Sequence, residues 1–233
     1  MKPISFWRRL LDLISPRLCV VCGQRLTVSE EIICSRCNLH LPRTDFHRNP
    51  YENEMAKLFW HQLPIEHATA LFYYEAHSET ANILYELKYK GHLEIGEIMG
   101  RLMAKELQLS GFFDGIDAIV PVPLAKKRQR QRGYNQSLEI ARGISEITSL
   151  PIYNKVVGRN AFEGSQTHKG RWERNENVEG VFELKDPATI QGKHLLIIDD
   201  VVTTGATVIA CSKELCKAGH VKVSVLALGF AKS

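Results

Sequence analysis

The chain has 233 residues, 44% hydrophobic and 24% charged, which are globular values for one domain of ordinary size plus a small module. No apolar run approaches the roughly 20 residues of a membrane span. The net charge of +4 permits an anionic ligand but does not announce nucleic acid, and the sequence contains no tandem repeat or low-complexity segment.

Met1 to Ile14 carries Arg8 and Arg9 inside its apolar stretch and lacks a small-residue cleavage site. That argues against a secretion signal and for a cytoplasmic protein whose first residues form a short amphipathic helix. Cys19-Val-Val-Cys22-Gly23 is followed after eleven residues by Cys34-Ser-Arg-Cys37. Two such knuckles bring four thiolates together, the tetrahedral set of structural zinc. The alternatives are two disulfides, disfavoured without secretion, and buried free cysteines. His40 offers an alternate ligand, although a surface histidine is the simpler reading. Four cysteines on one metal leave no open coordination position, so the ion is structural. The module is expected to occupy residues 1–45 and the larger domain residues 46–233.

Leu41 to Asn53 reads as a linker. Glu54 to Trp60 predicts a short helix, and Ala68 to Tyr74 an edge strand. Ser78 caps a predicted helix through Tyr89 that ends near Gly91. Apolar residues between Ile95 and Leu107 recur at helical spacing. Asp117 to Pro123 is a strand stopped by its prolines, and Gln136 to Thr148 an amphipathic helix. Leu195 to Ile198 is a buried strand, Gly219 ends the helix after it, and Val221 to Leu228 is the last strand. Strands alternating with helices predict an α/β fold with a doubly wound, mostly parallel sheet. Cys211 and Cys216 lie on a packed helix face and read as inert thiols.

Two polar stretches interrupt this pattern. Ala125 to Gln136 holds Lys126, Lys127, Arg128, Arg130 and Arg132. Following a strand of the same sheet, they are placed to meet a pyrophosphate; Lys88 and Lys90 are weaker candidates. A solvated basic turn and a groove for single-stranded nucleic acid, with Tyr134 as stacking ring, are the other readings. Asn160 to Asn177, including Gln166, Lys169, Arg171 and Arg174, is too polar for a core. It reads equally as an exposed loop and as a lid over a charged substrate.

The most informative stretch is Leu195-Leu-Ile-Ile-Asp-Asp-Val-Val-Thr-Thr-Gly-Ala-Thr207. An apolar strand runs into Asp199 and Asp200, and then into a short loop before a helix. Ligands in open α/β sheets sit beyond the carboxyl ends of strands. A helix starting there offers unpaired N–H groups that suit a phosphate. Gly205 permits close backbone approach, and Thr203, Thr204 and Thr207 add hydroxyl donors. The carboxylates then face a hydroxyl-rich group or a hydrated magnesium ion. Ribose 5-phosphate has that chemistry. The bland alternative is a capped helix with the acids as turn residues.

These residues resemble the phosphoribosyl pyrophosphate (PRPP) motif of type I phosphoribosyltransferases. The resemblance implies that Asp199 and Asp200 hold the ribose hydroxyls and that Thr203, Thr204, Gly205, Ala206 and Thr207 hold the 5-phosphate. It tips the polar stretch after Asn160 towards a lid. The order of the motifs narrows it further: two Cys-x-x-Cys pairs, Leu-Lys-Tyr-Lys-Gly91, Val-Pro-Val-Pro123, Arg-Gly-Tyr-Asn-Gln136, Ser-Gln-Thr167, Glu-Arg174, Asn177-Val178 and the Asp-Asp motif. This order is similar to that of the ComF family across nearly the whole chain. Such a resemblance implies a zinc ribbon joined to a phosphoribosyltransferase fold, with magnesium accompanying PRPP. For some members it implies a part in DNA uptake, with single-stranded DNA or uptake proteins as partners. The acceptor is not legible: Trp60, Tyr73 and Tyr74 offer rings for stacking but read better as core.

Overall fold

The computed structural model describes residues 16–160 and 180–232. Its main sheet has four strands: β1 (Ile65–Tyr74), β2 (Ala118–Pro121), β5 (His194–Val202) and β6 (Lys222–Ala231). Their order is β1-β6-β5-β2 and every pairing is parallel. Two short strands, β3 (Val157–Arg159) and β4 (Phe182–Leu184), form a separate antiparallel pair. Ile152 makes a further parallel bridge to Ile119 at the β2 edge.

The helices that place the site are α3 (Ala81–Tyr89), α4 (Leu93–Gln108), α5 (Lys126–Arg132), α6 (Gln136–Thr148) and α8 (Ala206–Cys216). Shorter helical pieces are α1 (Ser35–Leu39), α2 (Glu54–Lys57) and α7 (Pro187–Ile190). Side chains alternate across a strand, and β5 shows the consequence. Leu196 and Ile198 join a cluster with Ile83, Leu87, Met99 and Ile140 from α3, α4 and α6. Leu195 and Ile197 join Val208, Ile209 and Leu215 of α8 on the other side. With both faces covered, the strand reads as a continuous apolar run. The expected doubly wound α/β architecture is the observed one.

Helices α4 and α6 pack backbone to backbone. A Cβ on Gly143 would meet the Glu97 carbonyl oxygen at 2.0 Å, and one on Gly100 the Ile140 carbonyl oxygen at 2.2 Å. This close pair fixes the first turn of α6 over the carboxyl ends of β2 and β5. Tyr134 tightens the same corner: its ring is buried and its hydroxyl donates to the Leu87 carbonyl. Asn135 accepts from the Ser137 N–H at 3.1 Å as N-cap of α6 and donates to the Val122 carbonyl at 3.0 Å.

Two expectations change. The stretch read as a linker is tied to the sheet edge. The Thr44 N–H donates to the Leu71 carbonyl, the Tyr73 N–H donates to the Pro42 carbonyl, and Phe46 is buried against Tyr73 and Phe230. An edge strand has unpaired backbone groups, and this segment satisfies several of β1's. The basic stretch after β2 is helix α5, not a turn, closed by Gly133 in the left-handed region at φ 83°. Lys, Arg and Gln have good helix propensity, so no apolar face was needed to form it.

The N-terminal cysteines pack onto the larger sheet domain. Cys19, Val21, Leu26, Ile32 and Cys34 are buried in the same cluster as Met99 and Leu107 of α4. Arg101 of α4 reaches Glu31 at 2.9 Å. Among the described residues, no helix is long and apolar enough to cross a membrane.

Candidate functional site

Strand β2 ends where β5 continues. Pro121 pairs with Ile198, and the next residue of β5, Asp199, has a partner only on the β6 side, Ala227. The acid pair therefore sits at the carboxyl edge of an inner strand, where its neighbour has turned away. Asp199 accepts from its successor's N–H at 2.9 Å and from the Ser137 hydroxyl at 3.3 Å. Asp200 is bridged by Lys88 of α3 at 3.1 Å, with the two side chains 16% and 22% exposed. Burial first, and the Asp200 charge second, push the Asp199 carboxyl up to about 7; the Asp200 N–H, the Lys88 ammonium and the Ser137 hydroxyl pull the other way. Two adjacent part-buried acids, partly neutralised by one lysine, form a preorganised acceptor of hydroxyl donors.

The loop after the pair is short. Thr203 and Thr204 are exposed, Gly205 is the N-cap of α8 at φ 76°, and Ala206 and Thr207 are the first residues of that helix. Gly205 has no side chain to cap the helix, and among the described residues the side-chain acceptor at the first N–H groups of α8 is Thr204 Oγ1, 3.5 Å from the Ala206 nitrogen. A helix start left open this way offers N–H groups to an anion. Any Cβ at Gly205 would also lie 3.2 Å from the Phe59 ring. The fold thus brings Asp199, Asp200, Thr203, Thr204, Gly205, Ala206 and Thr207 into one loop at a strand end.

The remaining candidates are not part of this loop. Among the described residues, Lys126, Arg128 and Arg130 are exposed on α5 and make no ion pair. Arg132 turns back, donating to Gln136 at 2.8 Å and lying over the Tyr89 ring at 5.5 Å. Gln166, Lys169, Arg171 and Arg174 fall outside the described residues, as does the N-terminal helix expected before Ile14. Tyr73 packs in the core against Phe46 and Phe230. Tyr74 instead lines a cleft of about 480 Å³ with Tyr85, Lys88 and Tyr89. Lys88 is the residue that sequence reasoning undervalued: the Leu-Lys-Tyr-Lys-Gly91 motif marked it, but as a pyrophosphate contact and not as the partner of Asp200. Ser137 was missed outright; its position beside an N-cap asparagine was the available signal.

The four N-terminal cysteines form the second cluster. The sulfurs of Cys19, Cys22, Cys34 and Cys37 all lie within 4.8 Å of one another. Cys22 and Cys34 are 3.9 Å apart, close to the ~3.8 Å edge of a tetrahedron with 2.3 Å zinc–sulfur bonds. Backbone N–H groups of Cys34 and Cys37 point at the sulfurs of Cys19 and Cys34, each at 3.4 Å. Burial raises the Cys19 thiol, but backbone N–H groups of Cys22, Cys34 and Val21 outweigh it and bring the group down to about 7. Glu30 clasps the knuckle by accepting from the Thr27 and Ser35 N–H groups at 2.8 and 2.6 Å, which hold its carboxyl down to about 2. This cluster can hold a metal such as zinc. His40 takes no part: its ring bonds the Arg36 carbonyl at 2.8 Å.

No family model matches the chain. Individual proteins do. DNA utilization protein YhgH of Escherichia coli strain K12 is 29% identical over 214 residues, covering 91% of this chain and 89% of that protein. Competence protein F of Haemophilus influenzae is 33% identical over 116 residues, 49% of this chain and 51% of that one. The chain is thus homologous to proteins named for DNA utilization and, over about half its length, to a protein named for competence. The resemblance read from the motifs is met by relatives of both names: the DNA utilization protein over most of the chain and the competence protein over about half of it. Among solved structures, a glutamine PRPP amidotransferase from B. subtilis overlaps 56% of this chain and 25% of its own, at 19% identity and a TM-score of 0.36. The α/β assignment rests on the strand order and the parallel pairings, not on that overlap.

Proposed function

We propose that the strand-end loop binds the phosphoribosyl group of PRPP, and that the protein transfers or holds 5-phosphoribose. One observation carries the reading: an acid pair at the carboxyl edge of an inner parallel strand, followed within five residues by an open helix start behind a left-handed glycine. Asp199 and Asp200 accept the 2- and 3-hydroxyls of the ribose. The N–H groups and hydroxyls of residues 203–207 receive the 5-phosphate. Ser137 orients Asp199, and Lys88 holds Asp200 until a ligand arrives.

Asp199 and Asp200 are too few carboxylates to cage a magnesium ion, but they would suit one that keeps its waters and arrives with the ligand, and it would neutralise the leaving group. The chain's part is positional. As pyrophosphate departs, positive charge grows at C1 and negative charge on the leaving oxygens. Lys88, released from Asp200, lies on the side from which α3 and α5 present their cations. Lys126, Arg128, Arg130 and Arg132, together with Gln166, Lys169, Arg171 and Arg174, complete the anion's surroundings in this reading.

The four cysteines hold one structural zinc. Residues 1–45 form a zinc-ribbon module, which braces the domain of residues 46–233. A zinc–thiolate cluster and a PRPP ligand would both support a cytoplasmic location. The homologues' names favour a second reading, in which the same site binds PRPP or a nucleotide without turnover and the protein works with single-stranded DNA or DNA-uptake proteins.

Backbone amide mapping by NMR tests the site. Titration with magnesium and PRPP is expected to move the Thr204 to Thr207 amides first, with Lys88 and Ser137 following. Shifts confined to α5 or the cysteine knuckle would reject the assignment.

A further inference from the structure

The amino ends of three neighbouring strands carry a polar cluster that the acid pair does not use. Ala68 of β1 lies opposite Val225 of β6, and Leu196 of β5 opposite Ser224. Ser224 therefore sits between His67 on one side and His194, the first residue of β5, on the other. Ser224 is fully buried and His194 part-buried. The Gly115 carbonyl oxygen lies 3.1 Å from His194 Nδ1, and a carbonyl can only accept, so Nδ1 carries the ring proton. Nε2 of the neutral ring is then the acceptor, and the Ser224 hydroxyl donates to it at 2.8 Å. The His67 ring lies 6.4 Å from that of His194 and 5.8 Å from that of Phe112, centroid to centroid. Its Nδ1 is buried without a hydrogen-bond partner among the described residues. Glu66 and Lys222 flank the cluster, bridged at 3.5 Å, and the Asp117 carboxylate accepts from the His194 N–H at 2.8 Å.

We infer that His194, Ser224 and His67 form a pH-sensitive latch at the amino end of the sheet, shut while His194 is neutral and released when it takes up a proton. A proton on Nε2 turns that nitrogen into a donor. The Ser224 hydroxyl must then turn its hydrogen away from the ring, and among the described residues nothing else accepts it. A buried donor left unpaired is costly. The new charge also faces the His67 ring and Lys222, with Glu66 alone to favour it, since the Asp117 carboxylate is taken up by the backbone. Burial first, then His67 and Lys222, hold His194 below its ordinary 6.5 against the pull of the Gly115 carbonyl and Glu66. An imidazole whose folded value is lowered takes its proton more readily unfolded. The latch therefore contributes its full stability above about pH 6.5 and loses it as the solution becomes more acid. Release shows first at β1, whose register on β6 already shifts between Ile65 and Ala68. Asp199 lies five residues along β5 from His194, ~16 Å at ~3.3 Å per residue, so the latch and the ligand loop are separate devices.

The test uses the full chain as wild type, His194→Gln, Ser224→Ala and His67→Phe. NMR follows the titration of the His194 ring, and hydrogen exchange gives amide protection at pH 7 and pH 5. In wild type the ring is expected to titrate below its ordinary value. Protection at residues 66–69, 194–196 and 223–225 should fall about tenfold or more between the two pH values, beyond any change at residues 198–202. His194→Gln keeps a donor and an acceptor but cannot be charged, and should lose that local fall. Ser224→Ala and His67→Phe should each move the His194 midpoint upward. For Ser224→Ala the shift should be about half a unit to one unit, which is what one hydrogen bond supplies. A wild-type ring that titrates at or above the ordinary histidine value overturns the inference. So does a midpoint unmoved in Ser224→Ala or in His67→Phe. So does protection that falls no more at the latch than at residues 198–202, or a local fall that persists in His194→Gln. If His194→Gln does not fold, the ring titrations of wild type and Ser224→Ala decide the matter.

Discussion

Replacing Asp199 with asparagine should stabilise the protein, and only at neutral and higher pH. The carboxyl rises from its ordinary 3.8 to about 7 in the folded state because it is buried beside Asp200. An acid whose folded value is raised binds its proton more tightly folded than unfolded. Its ionised form therefore weighs against folding. That penalty is absent below about pH 4, grows between pH 4 and 7, and is complete above 7. Three units at about 1.36 kcal/mol each bound it at about 4 kcal/mol. Asparagine keeps an oxygen for the Asp200 N–H and the Ser137 hydroxyl, but its amide hydrogens need partners that the site does not supply. Removing one charge also leaves Asp200 with Lys88 to itself. The poorly satisfied amide costs about 1–3 kcal/mol at every pH, so a net gain of about 2 kcal/mol is expected at pH 8, a net loss of about the same size at pH 4, and a difference of about 4 kcal/mol between them. Urea unfolding of wild type and Asp199→Asn at pH 4, 6 and 8 measures the difference. A difference independent of pH, or one that grows towards acid, would refute the reasoning.

Lys88→Met should destabilise the protein by about 1–3 kcal/mol at pH 8, because it leaves Asp200 part-buried beside a second acid without a cation; denaturant midpoints unchanged from wild type would contradict this. Gly143→Ala pushes a methyl group to 2.0 Å from the Glu97 carbonyl and should cost about 1–3 kcal/mol in denaturant unfolding, with full stability counting against the close helix pair. Metal analysis should find one zinc per chain. Chelation should lower the midpoint of the whole domain, because Cys19 and Cys34 share a core with α4; a midpoint blind to chelator would show that the knuckle and the sheet domain are uncoupled.

What the sequence made legible follows from what local pattern encodes. β5 was readable because burial on both faces writes an uninterrupted apolar run, and the acids at its end stand out against that run. α4 and α6 were readable from their apolar spacing. α5 was not, since Lys-Lys-Arg-Gln-Arg-Gln-Arg carries no apolar face and its helicity rests on propensity and on Gly133 closing it. Leu41 to Asn53 looked like a linker because its bonds are to β1, about fifteen to thirty residues on, and pairing across that distance leaves no periodic trace. The site divides in the same way. Asp199, Asp200 and residues 203–207 are consecutive, so their juxtaposition is local. Lys88 and Ser137 arrive on two other helices, and only the packing of α3 and α6 over the strand ends brings them to the pair. Tyr134, offered by the sequence as a stacking ring, is buried and anchors the end of α3, and its neighbour Asn135 starts α6.

The most direct test of the central claim is a calorimetric titration of magnesium and PRPP into wild type and into the Asp199→Asn/Asp200→Asn variant. Saturable one-to-one binding to wild type, lost in a variant that unfolds as cooperatively as wild type, is the predicted result. Wild type without binding, or a variant binding as tightly as wild type, would contradict the assignment of the acid pair and its loop to phosphoribose.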